Sequence, residues 1–331
     1  MASPTDTAAP AAPTLALIPG EASSAEGNPT ILGLSLTERA KLAAKRAGFG
    51  QVITGLPPTG SVPAGTLVIA ASDILAETGW LRAAAGFAGG QWAASDAVML
   101  IPASQAKVAL SALGAFPANA SLSALRGPLS QALNPAAGMP VAIDPLRIRN
   151  ASDHRVAERR LLRALIKDTD GFMAKHVDRR ISLAVSRRLA ATSITPNQMT
   201  LISVAFGLLG APFFLSSQPI WQTIGALLFL AHSVLDGCDG ELARLKFKES
   251  RWGGILDFWG DNVVHSAIFA CIGLGWSWWS GSNWPLLLGA AAVIGTIGSA
   301  SVVYWRTMRH KSGAGPLYTS VARGPSKRFA K

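Results

Sequence analysis

The stretch from Asp236 to Asp261, DGCDGELARLKFKESRWGGILDFWGD, decides how this chain is read. Asp236, Asp239, Gly240, Ala243 and Arg244 recur at i, i+3, i+4, i+7 and i+8, which is one stripe of a helix. Gly253, Asp257 and Asp261, at i, i+4 and i+8, make a second stripe. Acidic side chains in or at the mouth of apolar segments are expensive, and by default they mark function. Helix capping or surface charge accounts for Asp236 or Asp239 singly, but not for Asp257 and Asp261, which lie within an apolar run. Two such helices facing each other would gather four carboxylates at one end of a bundle. Like charges at that separation require a cation among them, and an all-oxygen shell suits Mg²⁺ or Mn²⁺. Gly240, Ala243 and Gly253 clear side chains from the same faces and leave a groove, with Arg244 at its edge to pair with phosphate. Metal ions and an arginine together neutralise a diphosphate during displacement.

Working outward, four apolar segments surround the stretch: 199–215, 220–235, 254–279 and 285–305. Each approaches the roughly 20 residues that cross a hydrocarbon core. The connections near 216–219 and 280–284 carry no charge, whereas 244–251 holds Arg244, Lys246, Lys248 and Arg251, and Arg306, Arg309 and Lys311 follow the last segment. The positive-inside rule therefore puts both termini and the 236–253 loop on the cytoplasmic side of the inner membrane. Trp276, Trp278, Trp279 and Trp284 form an aromatic belt at the opposite interface. Upstream, residues 153–188 are basic. Ile181, Val185 and Leu189 make an apolar stripe with Arg180, Arg187 and Arg188 on its flanks, which reads as a helix lying in the membrane interface.

Before this the pattern differs. Residues 1–13 are rich in Ala, Pro and Thr and read as a disordered tail, without the basic and apolar regions of a signal peptide. Strands are expected at 15–18, 51–54, 67–71, 97–101 and 141–144, with helices at 36–47 and 80–88, so 14–150 reads as a cytoplasmic α/β domain. Residues 151–195 form a basic linker, 196–311 an all-α polytopic bundle of four spans, and 312–331 a polar basic tail. The formal charge of +11 demands an anionic partner: headgroups, phosphorylated substrates or nucleic acid. The charge adjoins the spans and no stacking motif accompanies it, which argues against nucleic acid. Cys238 and Cys271 define neither a disulfide framework nor a zinc site.

The eight positions Asp236, Asp239, Gly240, Ala243, Arg244, Gly253, Asp257 and Asp261 match D-x2-D-G-x2-A-R-x8-G-x3-D-x3-D with both gaps intact. This resembles the signature of CDP-alcohol phosphotransferases, and TPNQMT, 195–200, is similar to the segment that opens their first transmembrane helix. The resemblance implies an integral membrane enzyme that passes a phosphoalcohol from a CDP-alcohol to an acceptor hydroxyl, in phospholipid or inositol-phosphodiester synthesis. It implies metal ligation by Asp236, Asp239, Asp257 and Asp261, with Asp261 also serving as general base on the acceptor hydroxyl. It implies CDP binding by Asp239, Gly240, Ala243, Arg244 and Gly253, a two-metal site, and a homodimer. The donor would be CDP-diacylglycerol or CDP-inositol. Arg179, Arg187, Arg306 and Arg309 are candidates for an acceptor phosphate or a headgroup. Family members usually carry six transmembrane helices where four are legible here, so the bundle is expected to be cut short or completed differently.

The α/β region resembles a sugar-phosphate nucleotidyltransferase whose Gly-rich nucleotide loop is replaced by IPGEASSAEGN after the first strand, hence a degenerate, catalytically silent domain in which Asp73 is structural. Two other readings stay open. An aspartate-rich membrane prenyltransferase also binds a metal diphosphate, but its acidic motifs come in two separated copies. A cation- or proton-coupled transporter would use intramembrane aspartates, but here they gather at one face and no inverted repeat is visible. His232 and His265 read as packing or hydrogen-bonded histidines rather than ligands.

Overall fold

The computed structural model describes residues 12–20, 29–58, 62–87, 91–117, 120–134, 145–166 and 179–308. The chain divides into two compact units, 1–160 and 161–331.

The first unit is a mixed sheet with flanking helices. In chain order it holds β1 (Thr14–Ile18), β2 (Thr30–Ile31), β3 (Leu34–Ser35), α1 (Leu36–Ala47), β4 (Gln51–Thr54), β5 (Leu67–Ala71), α2 (Thr78–Ala85), β6 (Ala93–Ala94), β7 (Val98–Ile101), α3 (Ala103–Leu113) and α4 (Leu122–Leu133). The sheet order is β4-β1-β5-β7-β6. β1 runs parallel to β4 and β5, while β7 is antiparallel to both β5 and β6. β1, β5 and β7 are buried along their whole length, as unbroken apolar runs covered on two faces should be. α1 starts at Ser35, whose hydroxyl accepts from the Glu38 amide, and stops at Gly48 in the left-handed conformation.

The expected strands at 15–18, 51–54 and 67–71 and the helix at 36–47 are present. The strand expected at 141–144 lies outside the described residues. Asp73, just beyond β5, is buried and held by Arg147, whose Nη2 and Nε donate to its two carboxylate oxygens at 2.7 and 3.2 Å. A Cβ on Gly20 would lie 2.2 Å from the Asp73 carboxyl carbon, so the backbone after β1 passes directly over it. Asp73 is thus a closed ion pair.

α5 (Ala151–Arg163) follows, and the second unit is helical: α6 (Arg179–Ala190), α7 (Pro196–Gly210) continued by a 3₁₀ turn (Ala211–Leu215), α8 (Pro219–Leu245), α9 (Arg251–Ser280), α10 (Trp284–Val303) and a π turn (Tyr304–Met308). α8 packs on α6 and α7, and α9 packs on α7 and α10. Glycines set the closest approaches. A Cβ on Gly207 would come within 2.5 Å of Val264 Cγ1, and one on Gly273 or Gly289 would meet the other's Cα at 3.0 Å.

Among the described residues, three helical segments are long and apolar enough to cross a membrane: Pro196–Leu215, Arg251–Ser280 and Trp284–Thr307. Four were expected. α8 has the length, but Gln222, Thr223, His232 and then Asp236 dilute its apolar character, and the helix runs on through the acids to Leu245 instead of ending before them. Trp276, Trp278, Trp279 and Trp284 are exposed together at the end where α9 turns into α10.

α6 turns a small polar face inward. Ser182, Ser186 and Ala190 are buried, while Ile181 is exposed and Val185 and Leu189 are half-buried on its other side.

Candidate functional site

The turn 246–250 joins α8 to α9 and fixes their relative register. Lys246 Nζ donates to the carbonyls of Thr192 and Ile194, at 2.8 Å each, which ties the turn to the segment preceding α7. Burial lowers the Lys246 pKa from its ordinary value. At the far side of the turn Ser250 caps α9, its Oγ accepting from the Gly253 amide at 2.9 Å. α7 starts from a capping box in which Thr195 Oγ1 accepts from the Gln198 amide and Gln198 Oε1 accepts from the Thr195 amide.

This register brings Asp236, Asp257 and Asp261 together: one carboxylate oxygen from each lies within 4.8 Å of the others. Oδ1 of all three is buried and accepts no hydrogen bond from the described residues. Leaving a buried acceptor unsatisfied costs about 1–3 kcal/mol, more when it is charged. Three such oxygens converging on one point are a donor set of the kind that a hard divalent cation completes. The residues therefore fit a metal ion.

Asp239 stands apart from that trio. Its Oδ2 accepts from the Thr200 hydroxyl of α7, and it borders the same cavity as Asp257.

Beside the carboxylates is a cavity of about 160 Å³. Asp239, Gly240, Ala243, Arg244, Gly253 and Asp257 line it, so every residue expected at the CDP site borders one space. A Cβ on Gly253 would sit 3.0 Å from both Asn197 Oδ1 and Ser250 Oγ, and one on Gly240 would sit 3.3 Å from Arg244 Nη1. Asn197, Thr200, Lys248 and Ser250 also line the cavity, and sequence reasoning missed them. They lie outside the two aspartate stripes. The signal available was the T-x-x-Q capping pattern at Thr195–Gln198, which predicts a helix N-terminus there. The first turns of α7 and α9 both border the cavity, adding two positive helix ends to Arg244 and Lys248.

The expected phosphate-binding arginines are distributed differently. Arg179 Nη1 donates to Glu241 Oε1 at 2.8 Å, and Ser182 Oγ donates to the same oxygen, so Arg179 joins α6 to α8 and does not line the cavity. Arg187 and Arg306 are exposed. Arg306 belongs to the π turn whose Tyr304 packs on Trp259, with ring centroids 5.9 Å apart, at the carboxylate end of α9. Arg309 lies outside the described residues. His232 is buried, with Nδ1 2.9 Å from the Ser203 carbonyl and Nε2 3.5 Å from Asp261 Oδ1. His265 Nδ1 lies 2.7 Å from the Asp261 carbonyl, and Phe229 meets its ring edge-on. Cys238 is buried and its thiol faces the carbonyls of Ser182 and Val234.

A family model for CDP-alcohol phosphatidyltransferase matches residues 193–323, which include both aspartate stripes. Archaetidylinositol phosphate synthase of Pyrococcus horikoshii is 31% identical over 139 residues, which is 42% of this chain and 67% of that protein. The chain belongs to the CDP-alcohol phosphatidyltransferase family. The bifunctional IPC transferase and DIPP synthase of Thermococcus kodakarensis is 39% identical over 117 residues, covering 35% of this chain but only 26% of that protein. Phosphatidylinositol phosphate synthase of Mycobacteroides abscessus is 26% identical over 145 residues, 43% of this chain and 63% of that protein. The chain thus matches about a quarter of the length of its bifunctional relative. The family is membrane-integral and uses divalent metals, in keeping with the apolar helices and the carboxylate trio.

Proposed function

We propose that this CDP-alcohol phosphatidyltransferase family member transfers a phosphoalcohol from a CDP-alcohol to an acceptor hydroxyl and releases CMP. One observation carries the reading. Three carboxylates with unsatisfied oxygens adjoin a cavity walled by small residues, Arg244, Lys248 and two helix N-termini.

In this reading Gly240, Ala243 and Gly253 leave room for the cytidine and its first phosphate, and Arg244 and Lys248 pair with diphosphate oxygens. Asp236, Asp239, Asp257 and Asp261 would hold Mg²⁺ or Mn²⁺, in one or two sites. Bound there, the metal would neutralise the diphosphate and the charge developing on the departing CMP. Asp261, whose side chain is 38% exposed, takes the proton of the acceptor hydroxyl. The acceptor oxygen forms a bond to the phosphorus of the phosphoalcohol, the bond from that phosphorus to the bridging oxygen breaks, and CMP leaves with the electron pair.

The printed names of two relatives, archaetidylinositol phosphate synthase and phosphatidylinositol phosphate synthase, favour an inositol phosphate acceptor and a lipid donor such as CDP-diacylglycerol. CDP-inositol is the alternative donor. We read α8 as a fourth crossing, with the carboxylates and the α/β unit on the cytoplasmic side. The α/β unit is read as a nucleotidyltransferase-like domain without catalysis, a reading supported by the closed Asp73–Arg147 pair.

Release of CMP by the full chain in detergent tests the proposal, with CDP-diacylglycerol or CDP-inositol and a panel of alcohols, in Mg²⁺ or EDTA. Metal-dependent release that Asp261→Asn abolishes is expected. Release that persists in EDTA, or in Asp261→Asn, would overturn the assignment of the carboxylates.

A further inference from the structure

α6 is docked with its polarity reversed. The face that meets α8 is small and polar, with Ser182, Ser186 and Ala190 buried there. Ser182 Oγ and Arg179 Nη1 both donate to Glu241 Oε1, each at 2.8 Å. The approach is close, since a Cβ on Gly237 would lie 3.3 Å from Arg179 Nη1. The apolar stripe is turned away from this seam: Ile181 is 49% exposed, and Val185 and Leu189 are half-buried. A helix on a bundle surrounded by water buries its apolar stripe and exposes its polar one. The reverse arrangement calls for an apolar surrounding on the outer side of α6.

Position and charge identify that surrounding. Only residues 191–195 separate α6 from α7, which opens a segment long and apolar enough to cross a membrane. Lys246 pins this connection through the carbonyls of Thr192 and Ile194, so α6 is held near the level where α7 enters the bilayer. The helix carries four arginines and no acid. Arg188, at i+7 from Ile181, shares its exposed edge, and Arg180 and Arg187 share the next. Among the described residues neither Arg180 nor Arg188 has a carboxylate at ion-pair distance. An apolar stripe beside a row of arginines suits an anionic lipid surface, with the stripe at the acyl boundary and the guanidiniums among phosphates. A nucleic acid would match the charge but leave Ile181, Val185 and Leu189 uncovered.

The seam links this outer face to the site. Gly237, Cys238 and Glu241 of α8 meet α6, while Asp236, Asp239 and Gly240 in the same turns belong to the carboxylate cluster or border its cavity. The seam rests on one ion pair and small side chains, so what covers the outer face bears on how firmly α6 holds α8.

We propose that α6 docks on an anionic lipid surface through Ile181, Arg180 and Arg188, and that this docking raises the rate of transfer by holding α8 through Arg179 and Glu241. The second half rests on the transferase reading.

The test uses the full chain in vesicles of phosphatidylcholine, with or without phosphatidylglycerol, at a fixed mole fraction of CDP-diacylglycerol. Ala184, exposed three residues after Ile181, is changed to Cys and labelled with the polarity-sensitive dye NBD in a Cys271→Ala background, Cys238 being buried. Phosphatidylglycerol should shift the emission to the blue and raise CMP release severalfold, and high salt should reverse both. Arg180→Gln with Arg188→Gln should weaken the lipid response by roughly fivefold for each arginine removed. That double variant should match the wild type in phosphatidylcholine alone and keep its unfolding temperature, and the corresponding double lysine variant should respond as the wild type does. Emission indifferent to phosphatidylglycerol, or a response that survives loss of both arginines, would overturn the docking. A blue shift with CMP release unchanged would overturn the coupling to α8. No CMP release in any lipid would count against the transferase reading instead, and the emission would still decide the docking.

Discussion

Thr200 donates its hydroxyl to Oδ2 of Asp239, across the interface between α7 and α8, with both side chains buried. The threonine thereby fixes the one carboxylate of the four that faces the cavity without belonging to the trio of Asp236, Asp257 and Asp261. Removing a hydrogen bond that orients a ligand carboxylate typically costs about 10- to 100-fold in activity or metal affinity. Thr200→Val should lower CMP release within that range, and Thr200→Ser should preserve most of it. Rates measured at several Mg²⁺ concentrations, beside thermal unfolding curves, separate a positioning effect from a loss of fold.

Arg179 and Glu241 make a different kind of pair. The Glu241 side chain is fully buried and that of Arg179 is 15% exposed. Removing one partner of a buried pair leaves an uncompensated charge and costs about 3–5 kcal/mol, whereas replacing both by apolar groups is often neutral. Arg179→Ala should therefore lower the unfolding temperature strongly, and Arg179→Met combined with Glu241→Leu should restore much of it. An additive double variant would show that the pair is not the source of the loss.

The crowding of carboxylates predicts a conflict between stability and function. Asp236, Asp257 and Asp261 oppose one another unless a cation lies among them. In EDTA, Asp257→Asn should unfold at a higher temperature than the wild type. Mg²⁺ should raise the unfolding temperature of the wild type and have a much smaller effect on the variant, as linkage requires for a ligand bound only by the folded state. Equal shifts in the two proteins would count against metal binding at this cluster.

Gly253 tests the wall of the cavity. An added methyl would press on Asn197 Oδ1 and Ser250 Oγ at 3.0 Å each. Gly253→Ala should raise KM for the CDP-alcohol more than it lowers kcat, because it narrows the binding space and leaves the carboxylates in place. Gly207→Ala should act on the fold instead. Its methyl would overlap Val264, and overpacking of this kind costs about 1–3 kcal/mol.

Legibility of the fold in the sequence followed polarity contrast. The helix at 36–47 has a charged face and a signalled start and stop, and its bounds were readable to the residue. α3 and α4, by contrast, are built largely of Ala, Ser and Leu, so their buried and exposed faces differ little in polarity, and Pro128 inside α4 reads as a break. The spacing places Asp236–Arg244 on one helical stripe, and α8 carries that stripe past the end of the 220–235 apolar segment. Hydropathy falls at Asp236, but the backbone does not respond to hydropathy and the helix continues to Leu245. At the site, fixed spacing made the aspartates and small residues legible. Asn197, Thr200 and Lys248 were not, because they reach the same cavity from elements whose approach depends on the Lys246 anchor and the packing of α7 on α8.

The contact between Gly273 and Gly289 has a mechanical side. There the backbones of α9 and α10 touch with no side chain between them. Asp257 lies sixteen residues away along α9, about 24 Å at 1.5 Å per residue. The glycine pair is thus the fulcrum of a long lever arm, and a change of about 5° in the crossing angle would displace the far end by about 2 Å. A methyl group added at the fulcrum would be felt as misalignment among the carboxylates, with no contact made near them.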